Sequence, residues 1–137
     1  MYPEEITKPM AQELINAGFT SLTSAEAVAE YLDKKEGTTF LVINSVCGCA
    51  ASNARPAAIQ AIKNEKHPDN IITVFAGVDR EAVEKARTYT FPYHPSSPSM
   101  AVFKDGRLVH FLERSDIEGK PVQMIADDLI GAFNQYC

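Results

Sequence analysis

Cys47-Gly48-Cys49, within the run NSVCGCAASNARPA at residues 44–57, places two thiols one residue apart. Three kinds of chemistry fit such a pair. A thiolate can attack a disulfide sulfur, with the second thiol near enough to displace whatever the first has captured. Two thiolates can supply half of a tetrahedral zinc site. Alternatively, both can be small buried hydrophobes, as free cysteines often are. The metal reading lacks partners, because zinc takes four ligands and His67, His94 and His110 have no spacing that completes the set. No metal ligand is assigned. Cα atoms two apart in sequence lie roughly 5.5–7 Å from each other, at the upper edge of what a disulfide tolerates. Gly48 is expected to bend the chain through a positive φ so that the sulfurs meet. A ring this small should be more strained, and easier to reduce, than the four-residue CxxC ring.

The flanking elements must position these thiols. TTFLVINS reads as a buried strand over Thr39–Ser45: β-branched, aromatic and uncharged. ARPAAIQAIKNEK after the cysteines reads as a helix with Ile59 and Ile62 inward, and Pro56 must sit in its first turn or kink it. The pair therefore lies where a strand's carboxyl end meets a helix. Unpaired amide N–H groups and the positive end of the helix dipole there favour thiolate, lowering the pKa from about 8.5. Cys47, at the strand end, is expected to face solvent and act as nucleophile. Cys49, entering the helix, is the candidate resolving thiol. Asn44, Ser45 and Asn53 are polar neighbours that either donate hydrogen bonds around the thiolate or satisfy local backbone.

The remaining pattern completes the architecture. Helical spacing runs over Glu4–Ala17, with Ile6, Met10, Leu14 and Ile15 apolar and Gly18 as a stop. A second helix is expected from the N-cap Ser24 to Gly37, with Val28, Tyr31 and Leu32 on one face. NIITVFAGV is a second apolar strand, and Asp79 is expected to cap the helix REAVEKARTY. FPYHPSSPS breaks regular structure; MAVFKDGRLVHFL is a hairpin turning at Asp105-Gly106; IADDLIGAFNQYC closes the chain as a helix. The order α-α-β-α-β-α-β-β-α predicts an α/β fold: a mixed sheet of about four strands with helices on both faces and an extra N-terminal helical segment. Sites in such sheets form at the carboxyl ends of strands, where the cysteines fall.

Composition fits one ordinary domain spanning residues 1–137. Hydrophobic residues make up 45% and charged residues 23%, and the net charge of −5 argues against nucleic acid or an anionic membrane as partner. No apolar run approaches the roughly 20 residues that span a bilayer. The acidic, proline-containing start MYPEEITKPM does not read as a signal peptide, so a reducing cytoplasm is the expected location, where grouped cysteines are more often catalytic or metal-binding than structural.

A strand, a cysteine motif opening a helix, a second strand and helix, then a proline before a hairpin with a Lys104-Asp105-Gly106 turn resembles the thioredoxin fold. On spacing alone a trans Ser97-Pro98 bond is the statistical expectation; the resemblance implies a cis Pro98 facing the cysteines. The motif departs from CxxC, and EGTTFLVINSVCGCAASNARPA, PDNIITVFAGVDREA, SSPSMAVFKDGRLVHF and IEGKPVQMIADDLIGAFNQYC together are similar to the bacilliredoxins, from about residue 4 to Cys137. The resemblance implies a thiol–disulfide oxidoreductase that reduces mixed disulfides between cytosolic protein cysteines and bacillithiol, a co-substrate rather than a bound cofactor. Cys47 would attack and Cys49 would be the second cysteine. Gly48, Ser97, Pro98 and Arg55 would face the substrate, Arg55 pairing with anionic groups such as bacillithiol's malate; the alternative for Arg55 is a solvated helix arginine. Tyr93 and His94 would line the site. Cys137 matches the family pattern, but no role follows for it. Two other functions stay open: a general protein disulfide isomerase or reductase, and a non-catalytic thiol- or metal-binding module.

Overall fold

The structure is a computed structural model and describes residues 2–137. Helix α1 (Glu4–Asn16) carries Glu4 and Glu5 in its first turn, where the dipole favours negative charge. It ends in a reversal at Gly18, whose φ of +113° suits glycine. Gly18 N–H donates to Ile15 O and Phe19 N–H reaches back to Leu14 O, both at 3.0 Å, so the last carbonyls are satisfied. The buried positions are Thr7 and Leu14, two turns apart, whereas Ile6 and Ile15 of the expected apolar stripe are exposed. Only a narrow stripe of this helix faces inward.

Five strands form one sheet in the order β1-β3-β2-β4-β5. β1 (Thr20–Ser21), β2 (Thr38–Asn44) and β3 (Asn70–Phe75) run parallel; β4 (Ser99–Lys104) and β5 (Arg107–Leu112) add antiparallel partners. The two-residue β1 extends the expected four-stranded sheet, and two residues are too few to show a period. Asp105 and Gly106, with φ of 51° and 81°, turn the β4–β5 hairpin as the Asp-Gly pair predicts. α2 (Ala25–Leu32) begins with Ser24 accepting from Ala27 N–H at 3.1 Å, but it stops at Leu32, short of the expected Gly37. Gly37, at φ +89°, instead leads the chain into β2, its N–H on Asp105 Oδ1 at 3.0 Å.

β2 is buried at every residue because helices cover both faces of the sheet. Phe40 and Val42 point to a core shared with α1, α3 (Arg55–Ala61) and α6 (Val122–Tyr136). Leu41 and Ile43 point to the opposite core, under α2 and α4 (Arg80–Tyr89). Phe40 sits between Phe19 and Phe133, with ring centroids 5.8 and 5.2 Å away, so truncating it to Ala would cost about 3–5 kcal/mol. A single helical turn, α5 (Arg114–Ile117), precedes α6. Asp79 does not cap α4 as expected; its Oδ2 accepts from Phe75 N–H at 3.1 Å instead. Among the described residues no helix is long and apolar enough to cross a membrane.

Candidate active site

β2 ends at Asn44 in the centre of the sheet, and the cysteines follow at once. Cys47 and Cys49 are both half-buried and joined as a disulfide with Cα atoms 5.5 Å apart. The carbonyl of Cys47 accepts from Ala50 N–H (3.0 Å) and Ala51 N–H (3.3 Å), so Cys47 stands at the mouth of the helix. The expected role of Gly48 as a positive-φ bend is not what the fold uses. Gly48 is helical without a positive φ, and a Cβ there would meet no heavy atom within 4 Å. Residues i and i+2 of a helical turn already lie this close, so the turn itself brings the cysteines together. What glycine leaves is an uncovered, exposed gap between them.

The helix opens in a wide turn over Ala50–Ala54, with Arg55 N–H donating to Ala50 O five residues back. This slip by one residue comes directly before Pro56, which has no N–H to give. The segment rests on Ala54, Ala57, Ala58 and Ala61, all 0% exposed, small side chains that let it approach the sheet closely. Arg55 turns inward with them. It is 1% exposed, which excludes the solvated-arginine alternative, and its partners are all within the protein. Nη1 donates to Asn44 Oδ1 at 2.9 Å and to Ser45 O at 3.0 Å, and Nε lies 3.2 Å from Glu13 Oε1 on α1. Ser45 Oγ in turn accepts from Cys47 N–H at 3.2 Å, and Asn44 Oδ1 from Ser45 N–H at 2.8 Å. Asn44 and Ser45 thus hold the loop's backbone, and a buried cation holds them.

The Ser97–Pro98 bond is cis and Pro98 is buried. The Ile43↔Ser99 pairing, carried one step further, sets Pro98 beside Asn44, at the same sheet edge as the cysteines. Arg114, which no local pattern marks, donates from Nη1 to Ser97 O at 3.4 Å and from its backbone N–H to Ser96 Oγ at 3.2 Å. Glu13, 42 positions before Arg55, is equally silent in the sequence. Tyr93 stacks on Phe111 with centroids 4.5 Å apart, His94 is exposed, and the Asn53 amide donates to Lys120 O. Cys137 is an exposed thiol beside Thr38; burial raises its pKa, an effect offset in part by a Thr38 hydrogen bond. Thr38 begins β2 and Asn44 ends it, so Cys137 lies about 20 Å from the pair, at the other end of the strand. Among the described residues, no three His, Cys, Asp or Glu side chains group as a metal site would require.

This arrangement matches known proteins. A family model described as disulphide isomerase covers residues 2–137. A bacilliredoxin of Cytophaga hutchinsonii is 60% identical across 98% of this chain and 99% of its own length. One of Bacillus licheniformis is 52% identical across 99% and 95%. Two solved structures are similar in fold: thioredoxin from Malassezia sympodialis (TM-score 0.60, 13% identity, 87% of this chain and 90% of that one) and oxidised thioredoxin O2 from Arabidopsis thaliana (0.56, 15%, 86% and 96%). With a thioredoxin fold, a bridged cysteine pair at the helix mouth and relatives matched end to end, the chain belongs to the bacilliredoxin family of thiol–disulfide oxidoreductases.

Proposed function

We propose that this protein strips a small thiol, bacillithiol, from mixed disulfides on cytosolic protein cysteines. The observation that carries the reading is the bridged Cys47–Cys49 pair at the mouth of a helix. In the reduced protein the Cys47 thiolate, favoured by the helix dipole, attacks the bacillithiol sulfur of the mixed disulfide. The Cys47–S bond forms, the old S–S bond breaks, and the target leaves as a thiolate that takes up a proton. Cys49 then attacks Cys47 Sγ, expelling bacillithiol and leaving the pair bridged; by the other route a second bacillithiol thiolate attacks the bacillithiol sulfur of the adduct, forming bacillithiol disulfide and freeing Cys47 as a thiolate, with no bridge formed. Two electrons pass from the dithiol to the mixed disulfide, and an external thiol reductant returns them. The bare Gly48 gap and the Ser97–Pro98 edge give the bulky target room to approach, while Arg55 acts from beneath by positioning the Asn44–Cys47 loop.

The test is rate of release from one target protein carrying either bacillithiol or glutathione, with wild type, Cys47→Ser and Cys49→Ser. The reading expects a preference for the bacillithiol adduct, loss of release with Cys47→Ser, and a trapped Cys47–bacillithiol adduct with Cys49→Ser. Equal rates on both adducts would favour a general disulfide reductase or isomerase. Full activity of Cys47→Ser would reverse the roles of the two cysteines.

A further inference from the structure

Arg114 stands just past the end of β5, where Leu112 pairs with Met100, and it opens the single turn α5. That turn is firmly set. Glu113 and Asp116 close a reciprocal capping box, with Glu113 N–H on Asp116 Oδ2 at 3.0 Å, and Ile117 is fully buried in the core that holds Phe40. The guanidinium is pinned at two of its nitrogens: Nε and Nη2 donate to Glu118 Oε2, at 3.1 and 2.9 Å. The remaining nitrogen, Nη1, reaches Ser97 O at 3.4 Å, and the Arg114 backbone N–H donates to Ser96 Oγ at 3.2 Å. The Nη1 contact is long, so its hold comes from the charge and from a planar fork already fixed on its other side.

Among the described residues, these two are the hydrogen bonds that reach residues 94–97, which lie outside the ladder begun by Ser99. The segment that carries Arg114 also meets the opposite side of the groove. Asn53, four residues after Cys49 in the wide turn, donates its side-chain amide to Lys120 O. Residues 113–120 thus join the helix that carries the cysteines to the wall that ends at Pro98, beside Asn44. Arg114 is the link on the Pro98 side.

We propose that Arg114 is a positioning residue: it holds Ser96 and Ser97 as a preformed wall against which the target protein seats its modified cysteine, and it touches neither the sulfurs nor the small thiol. The proposal rests on Cys47 attacking a mixed disulfide of a protein, and not on which small thiol is attached. Without the tether the wall must be ordered at each encounter, a cost that falls on binding rather than on sulfur exchange.

The test measures kcat and KM for release from one target protein carrying bacillithiol, glutathione or cysteamine, with wild type, Arg114→Met and Arg107→Met. Arg107 is an exposed cation at the far end of β5 and controls for net charge. The expected result is a KM raised roughly three- to tenfold in Arg114→Met, equally for the three adducts, with kcat unchanged. Alkylation of Cys47 by iodoacetamide, in a Cys49→Ser background, should keep the wild-type rate, because so small a molecule does not need the wall. The Arg114–Glu118 pair is exposed, so the variant should fold with little change in melting temperature. An unchanged KM overturns the proposal, as does a fall in kcat or slowed alkylation, which would put Arg114 in the chemistry of the thiol. A penalty confined to the anionic adducts, bacillithiol and glutathione, overturns it in favour of direct contact with the small thiol. An equal penalty in Arg107→Met overturns it in favour of net charge. A wild type with no preference among adducts, combined with the Arg114 penalty, refutes the bacillithiol reading and leaves the tether standing. A bacillithiol preference with no Arg114 penalty refutes the tether alone.

Discussion

Replacing Arg55 by Met tests whether a buried cation holds the cysteine loop in place. The methionine stem fills the aliphatic volume, so little cavity is left. Asn44 Oδ1 loses the Nη1 donor but keeps Ser45 N–H at 2.8 Å, so it is not orphaned. Ser45 O loses its Nη1 partner and remains inside, which costs about 1–3 kcal/mol. Glu13, 46% exposed, is rehydrated at little cost, and removing a desolvated charge offsets part of the loss. The net expectation is about 1–2 kcal/mol, or a melting temperature lower by roughly 3–10 °C for a chain of this size. The loop should suffer beyond that, since Cys47 N–H hangs on Ser45 Oγ. Alkylation of Cys47 by iodoacetamide at fixed pH, in a Cys49→Ser background, should therefore slow severalfold. Arg55→Lys restores the charge without the two-pronged donor, so it should recover thiol reactivity more than stability. A methionine variant with wild-type melting and wild-type alkylation would refute the reasoning.

Two further outcomes follow from the same geometry. Gly48→Ala should leave the melting temperature unchanged or slightly higher, because Gly48 is helical, lacks a positive φ and has open space where the methyl would sit; a marked loss measured by calorimetry would show that glycine is needed for the backbone after all. Burial raises the Asp79 carboxyl pKa, against a smaller lowering by the Phe75 N–H bond. The native state thus holds that proton more tightly than the unfolded chain, and the associated stability is present at low pH and lost as pH climbs from the ordinary carboxylate value through the raised one. Asp79→Asn keeps an acceptor for Phe75 N–H without the charge, so it should be modestly more stable than wild type at pH 7, with the gap closing as pH falls below that window. Paired urea titrations at pH 7 and at acid pH measure this, and a gap that widens toward acid would contradict it.

The sequence alone determined the order of the longer elements, though not the two-residue β1 or the single-turn α5, together with the two-faced burial of β2 and the place of the cysteine pair, because each is written in local pattern. A continuous apolar run, an Asp-Gly turn and a Ser N-cap act over a few residues, and the structure keeps all three. Element ends were less legible: α2 halts at Leu32 rather than Gly37 because Gly37 is needed for the turn into β2, a contact with Asp105 that lies 68 residues away. Gly48 was misread for a related reason, since spacing shows that two sulfurs are near enough to meet but not which backbone path brings them there. Tertiary structure decided what surrounds the thiols. Arg55 reads as a surface residue of a polar helix start until the slipped turn before Pro56 directs it into the interior, where Glu13, Asn44 and Ser45 converge from α1 and from the end of β2. The remoteness of Cys137 likewise depends on which end of β2 the C-terminus packs against. Local interactions choose helices, turns and strands from neighbouring residues, whereas a buried charge finds its partners only once distant segments have packed.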